Sequence, residues 1–510
     1  MVPQGLAPGN DPLPQSVAIA GRNCRGVVRA GCADALRPLF ESLPATGALE
    51  LVKQSTVRSV FRGGFADLDV HLKLFRTATL SDRARDSLRG DRGSREARNL
   101  LAAIALDLRA AEPLACGSVD AEPRGARSFV VTRTIPDALP FAFDLPPAVL
   151  QATGRLLRRA HDRGFLPGDL HPGNVVIDGD GEPWLLDLAS VRHAGDPDLR
   201  RRAHALAFFC QALDGGPRDG RAQPLLLGYL ASGRPLPSQF ADELVLAARA
   251  VRGSALVAFG RRASRPCRHT VVPERRRGER RWYLHQVEDE TDRAALHAIC
   301  REFCAGPPRA DKEGRRGAVW LLDDVVVKER DQGAARKLFT SMYWLLFARV
   351  PQAEPVALAT LAGVGHVFAR RLPMPPLAHE LARGVLDVTA LRAAARSLGD
   401  AVGRLHAHGL RNRDLKFENL VRDPTTGVVC MVDLDGVRRK RPGDARGQGM
   451  DLGRLHAAFV AAACPGGRAA LCAFLRAYLR VRSRLLQPAP ARRLVRTALR
   501  RAQQWASAHR

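Results

Sequence analysis

Asp169 is followed five residues later by Asn174 and, thirteen residues beyond that, by Asp187. The same types recur in the second half as Asp414, Asn419 and Asp433, with one extra residue in the last interval. Moving a phosphoryl group needs charge neutralisation, metal positioning and an oriented hydroxyl. An Asp in a loop after a helix can orient an attacking hydroxyl and accept its proton, the role expected of Asp169 and Asp414. The amide oxygens of Asn174 and Asn419 and the carboxylates of Asp187 and Asp433 are hard donors suited to Mg²⁺. Upstream, each half carries one lysine in an apolar run, Lys73 in HLKLF and Lys328 in VVVKE, where an ammonium can meet nucleotide phosphates. Glu96, in SREARNLLAAIALDLRA, is the natural carboxylate to hold Lys73. The matching stretch ARKLFTSMYWLLFARV has no acidic residue, and Glu329 should point away from Lys328 along a strand. Lys328 therefore has no evident partner. One Asp before a hairpin is ordinarily a turn residue, and one strand Lys ordinarily faces water. The ordered set, present twice, carries the reading.

The elements around these residues recur too. Each copy opens on a His (His161, His406) with Gly three residues later (Gly164, Gly409), and Val-Arg follows each closing Asp at four and five residues. Before each His lies an amphipathic helix. Val149, Thr153, Leu156, Leu157 and Ala160 line one face in the first copy, and Leu391, Leu398, Val402 and Leu405 in the second. After each Asn a hairpin is expected: Val175–Ile177 with Trp184–Leu188, and Leu420–Val421 with Val428–Leu434. Both halves start strand-rich. Leu51–Phe61 and Asp67–Phe75 flank Arg62-Gly63-Gly64-Phe65, read as a hairpin turn with Gly63 and Gly64 at the nucleotide. Ala318–Leu322 and Val325–Glu329 form the shorter pair of the second half.

At these motifs the sequence resembles the protein-kinase-like superfamily. Asn412-Arg413-Asp414-Leu415-Lys416-Phe417-Glu418-Asn419 looks like a kinase catalytic loop, and Val432-Asp433-Leu434-Asp435-Gly436-Val437 like the metal motif of lipopolysaccharide kinases of the Kdo/heptose-kinase family. Gly168-Asp169-Leu170-His171-Pro172-Gly173-Asn174 looks like the variant in small-molecule phosphotransferases and the same lipopolysaccharide-kinase relatives. The resemblance covers roughly residues 50–215 and 315–465. It implies an α+β chain with two tandem protein-kinase-like bilobal domains, each a small β-rich N-lobe and a mainly helical C-lobe. It implies ATP and Mg²⁺ as cofactors, and a sugar hydroxyl of a lipopolysaccharide-core-like glycolipid as acceptor at the cytoplasmic membrane face. By the same resemblance Lys416 contacts the transferred phosphate, with His171 at that place in the first half, and Asp451 and Asp198 brace the two loops. No activation segment ending in Ala-Pro-Glu follows either copy, which favours a small-molecule or glycolipid acceptor over a protein. The alternatives are a serine/threonine protein kinase-like enzyme, or a nucleotide-binding scaffold with one or both halves inactive.

The chain has 510 residues, 46% of them hydrophobic, enough for a core in each half. The first fifteen residues, rich in Pro and Gly, are expected to be disordered, residues 16–262 and 282–510 to be the two domains, and the basic stretch 263–281 to be a linker. No apolar run approaches the roughly 18–20 residues of a membrane span, and the N-terminus lacks signal-peptide character, so a cytoplasmic protein is expected. The net charge of +27 is compatible with peripheral contact with anionic lipid, but scattered arginines and only 5% aromatics argue against a specific nucleic-acid partner. The ten cysteines are expected as free thiols, and His297, Cys300 and Cys304 as one buried helix face.

Overall fold

The computed structural model describes residues 12–485, apart from 44, 48, 56, 77–89, 120–125, 194, 196, 274–278, 287–288, 441–443 and 462–465, together with 496 and 500. The chain divides into two compact units, Met1–Ala248 and Arg249–Arg510.

In the first unit alternating residues build a sheet. Its strands are β1 (Ser16–Ala20), β2 (Cys24–Arg29), β3 (Glu50–Gln54), β4 (Arg58–Phe65), β5 (Leu68–Arg76), β6 (Pro113–Val119) and β7 (Ala126–Arg133), in the spatial order β1-β2-β6-β7-β5-β4-β3. Every pairing is antiparallel. Along β5 the period of two puts Leu68, Val70, Leu72 and Leu74 on one face, packed with Leu36, Leu39 and Phe40 of the helix Ala33–Ser42. The opposite face carries Lys73 and Phe75. Phe75 packs with Ala97 of the helix Arg92–Ala105, which also bears Glu96. The strand period and the helix period thus meet at the Lys73–Glu96 pair.

The mainly helical lobe follows. A short strand β8 (Leu139–Pro140) precedes the helix Pro147–Asp162, where Thr153, Leu156, Leu157 and Ala160 are buried as the periodicity predicts. That helix crosses the helix Gln223–Leu230 backbone to backbone. A Cβ on Gly154 would lie 2.0 Å from the Leu225 carbonyl oxygen, and one on Gly228 would lie 2.1 Å from that of Gln151. Only glycine permits this approach. Between them run β9 (Phe165–Pro167), β10 (Val175–Ile177), β11 (Pro183–Leu185) and β12 (Val191–His193). β10 and β11 form the expected hairpin, and β9 pairs with β12.

The second unit also opens on an antiparallel sheet. Its sheet holds β13 (Thr270–Val271), β14 (Arg281–His285), β15 (Val319–Leu321), β16 (Val325–Asp331), β17 (Pro355–Leu361) and β18 (Val364–Arg370), in the order β13-β14-β17-β18-β16-β15. Val325 and Val327 of β16 face Leu296, Cys300 and Phe303 of the helix Glu290–Ala305. His297 is also buried there, whereas Cys304, expected on the same buried face, is only partly so. Lys328 lies on the other face beside Val367, and Val367 packs with Ala335 and Phe339 of the helix Gln332–Phe347. Below it, the helix Val388–Ala407 buries Leu391, Leu398, Val402 and Leu405 and packs with the helix Gly467–Leu485. β19 (Leu410–Asn412) pairs with β22 (Val437–Arg439), and β20 (Leu420–Arg422) with β21 (Val429–Met431). Each unit is a β-rich lobe followed by a mainly helical lobe, an α+β bilobal arrangement.

Two boundary expectations need correction. The division falls inside the helix Phe240–Gly260, and the stretch expected as linker contributes β13 to the second sheet. Its Thr270 is buried, with its hydroxyl 2.5 Å from the Tyr343 hydroxyl. At the N-terminus, residues 1–11 lie outside the described residues, but Leu13 is buried against Phe75, Ala97, Cys116 and Val130. No helix among the described residues is long and apolar enough to cross a membrane.

Candidate active sites

Each unit holds its Asp–Asn–Asp set by the same backbone bonds. In the first, the β9–β12 pairing is extended where the Gly168 N–H donates to the Ser190 carbonyl (2.7 Å), which anchors the residue before Asp169. The Asn174 side-chain amide donates to the Asp169 carbonyl (2.9 Å), closing the loop on itself. The Leu186 N–H donates to the Asn174 carbonyl (2.9 Å), which brings Asp187 beside Asn174. In the second, the Arg413 N–H donates to the Gly436 carbonyl (3.0 Å), the Asn419 amide to the Asp414 carbonyl (3.0 Å) and the Val432 N–H to the Asn419 carbonyl (3.0 Å). Asp187 and Asp433 both adopt left-handed backbone, with φ of 61° and 53°. Non-glycine residues hold that conformation only where their surroundings over-determine it, and such places cluster at functional sites.

The loops differ in one support. The Asn412 side-chain oxygen accepts from the Asp414 N–H (3.0 Å). Pro167, at the equivalent place, has no such group. Gly436 closes against this bond: a Cβ there would lie 2.4 Å from Asn412 Oδ1 and 2.8 Å from the Asp414 nitrogen. Both loop aspartates reach water, with 63% of the Asp169 side chain and 47% of that of Asp414 exposed. Lys416 Nζ lies 3.6 Å from Asp414 Oδ1, and His171 Nε2 lies 3.8 Å from Asp169 Oδ2.

The opening histidines are structural in both units. His161 Nδ1 meets the Tyr229 hydroxyl at 2.8 Å, and His406 Nδ1 meets that of Tyr478 at 3.1 Å. Burial drives the imidazolium of His161 down to about 3 and also lowers His406, the latter opposed by Asp451. Asp451 is fully buried, faces His406 Nε2 at 3.3 Å and accepts from Arg411 of β19 (2.9 and 3.2 Å), tying its helix to the loop. Asp198 does not do this in the first unit. It is exposed and caps the helix Leu199–Phe209 through the Arg201 N–H (2.8 Å). The two tyrosines escaped the sequence reading because they lie about seventy residues beyond their histidines.

The cationic groups above each loop are arranged differently. In the first unit Lys73 and the fully buried Glu96 form an ion pair, and Arg58 of β4 pairs with Asp187. Burial pushes the Glu96 carboxyl up, with the Lys73 charge opposing and the Asp187 charge adding. Burial also resists ionisation of Asp187, but the Lys73 charge and the Arg58 hydrogen bond prevail and hold its carboxyl below the usual range. Asn99 of the Glu96 helix donates to the Leu188 carbonyl (2.6 Å), joining that helix to the Asp187 segment. Gly63 and Gly64 are not brought to this place. They pair with Val70 and Asp69 inside the β4–β5 ladder, and the turn lies beyond them at Ala66 and Asp67. The turn beside Asp187 is the one from β3 to β4, where Ser55 Oγ accepts from the Arg58 N–H (3.1 Å).

In the second unit Lys328 is not unpartnered. Its Nζ lies 2.5 Å from Asp433 Oδ1 and 3.0 Å from Asp435 Oδ2. Arg330, from the same strand, donates to both oxygens of Asp435 (3.2 and 2.9 Å). Glu329 points the other way, with Oε2 3.5 Å from His366 Nε2. Burial opposes the charge on Asp435, but Arg330 and Lys328 hold its carboxyl far below the usual range. The Gly314–Gly317 turn, whose Arg316 carbonyl accepts from Arg330 (3.4 Å), occupies the place of the β3–β4 turn.

No family model matches the sequence, and no curated protein matches it. Among solved structures, a choline/ethanolamine kinase family protein from Mesorhizobium loti is similar at a TM-score of 0.31 and 15% identity, over 45% of this chain and 85% of that one.

Proposed function

We propose that the chain is an ATP-dependent phosphotransferase acting on an alcohol, with a sugar hydroxyl of a lipopolysaccharide-core-like glycolipid as acceptor. The observation that supports it best is the pair of matching backbone links, Leu186 to Asn174 and Val432 to Asn419. Each places an amide oxygen and a left-handed Asp side by side below a strand lysine. An amide and a carboxylate oxygen are the hard donors Mg²⁺ takes, and cationic side chains already sit on both carboxylates, Arg58 on Asp187 and Lys328 on Asp433. The residues therefore fit the ion: Asn174 with Asp187, and Asn419 with Asp433, would hold it. Bound there, it supplies neutralisation of phosphate charge. Lys73 and Lys328 bind the nucleotide phosphates. Asp169 and Asp414 orient the acceptor hydroxyl and take its proton, and Lys416 meets the transferred group.

The test is mass spectrometry of envelope glycolipid incubated with the full chain, ATP and Mg²⁺. One added phosphate is expected, lost in the D169A/D414A double variant. Undiminished transfer by that variant would remove the proton-acceptor assignment, and transfer only to protein Ser or Thr would replace the glycolipid acceptor.

A further inference from the structure

The lysine of each unit is held by a carboxylate, but the carboxylate comes from different places. In the first unit it is Glu96 on a helix, and the residue two beyond Asp187 is Ala189. In the second unit the helix Gln332–Phe347 contains no acidic residue, and the residue two beyond Asp433 is Asp435. Lys328 meets Asp433 at 2.5 Å and Asp435 at 3.0 Å, and Arg330 meets Asp435 at 2.9 and 3.2 Å, so Lys328 rests between two carboxylates while both oxygens of Asp435 are engaged by cations from one strand. The Asp435 side chain is 19% exposed, against 44% for Asp433. Asp433, though it meets Lys328 through Oδ1, keeps more of its surface in water, and Asp435 is the enclosed carboxylate of the two. A lysine meant to contact phosphate must be kept extended above the loop by a fixed anion. With none on the helix, the two-residue step in the metal motif supplies it.

We infer that Asp435 is the positioning residue for Lys328, standing in for the helix carboxylate that Glu96 provides to Lys73. Nucleotide contact in the second unit is then set by β16 and the Asp433–Gly436 turn, independent of where the Gln332–Phe347 helix sits. This rests on the phosphotransferase reading of the same site.

The test labels the full chain with an acyl-phosphate derivative of ATP, which acylates lysines beside the nucleotide phosphates, and counts Lys73 and Lys328 peptides by mass spectrometry. Added Mg²⁺-ATP protects each lysine. D435N is expected to raise the ATP concentration that half-protects Lys328 about tenfold or more, the worth of one lost charge-assisted hydrogen bond. The Lys73 midpoint stays in place and serves as the internal control. D435E restores protection of Lys328, and excess Mg²⁺ does not. An unchanged Lys328 midpoint in D435N overturns the inference, as does full recovery with Mg²⁺, which would make Asp435 a metal ligand only. A second test does not depend on D435N folding: E96Q weakens protection of Lys73, and E96Q/A189D regains it. No recovery there overturns the equivalence. If neither lysine of the unaltered chain is protected by ATP, the phosphotransferase reading itself fails, which is a distinct result.

Discussion

Replacing Lys73 with Met should destabilise the first unit in a way that acid relieves. Lys73 is 12% exposed and Glu96 fully buried, and Glu96 Oε2 has no hydrogen-bond partner among the described residues. Removing the ammonium leaves a buried carboxylate without its cation. Breaking a buried pair from one side costs about 3–5 kcal/mol, whereas replacing both partners with apolar groups is often near neutral. For a unit of this size that loss corresponds to about 6–20 °C in its melting transition. The pH dependence has a definite sign. The folded Glu96 carboxyl is already pushed up by burial, so ionisation penalises the fold above the unfolded value and the penalty vanishes below it. Without Lys73 the carboxyl rises further, so the deficit of K73M is largest near neutral pH and shrinks as pH falls through the raised folded value. Calorimetry of K73M, E96L and K73M/E96L across pH 5–8 gives the coupling directly. A K73M deficit that is small, or that does not change with pH, would refute the picture of a charged buried pair.

Two further substitutions test close approaches. G436A places a Cβ against Asn412 Oδ1 and the Asp414 nitrogen, so single-turnover transfer by the second unit should fall at least about tenfold, since small misplacements of reacting groups are costly. Unchanged turnover would show that this loop is not the one that works. G154A forces apart the helices Pro147–Asp162 and Gln223–Leu230 and should cost the first unit about 1–3 kcal/mol of stability in denaturant titration, without altering nucleotide binding in the second.

What was legible in the sequence is what short-range chemistry fixes. The loop Asp, the Asn five residues on and the hairpin that returns to the second Asp lie within one connected segment, so residue type and spacing determine them. The buried stripes of the Pro147–Asp162 and Val388–Ala407 helices follow from periodicity alone. Contacts made across long separations were not legible. Lys328 meets Asp435 over 107 residues, and Arg58 meets Asp187 over 129. Glycine misled at Gly63 and Gly64, because the β4–β5 ladder continues through them and Ala66 takes the positive φ at the turn instead. Composition misled at residues 263–281, where an Arg-rich stretch still supplies Thr270 to the second sheet and its hydroxyl to Tyr343.

On the phosphotransferase proposal, each unit carries its own nucleotide site built on an Asn–Asp pair. Calorimetric titration of ATP into the full chain, with and without Mg²⁺, tests it most directly. Two metal-dependent sites per chain are predicted, with D187N removing one and D433N the other. Binding that ignores the metal, or that survives the D187N/D433N double substitution undiminished, would contradict it.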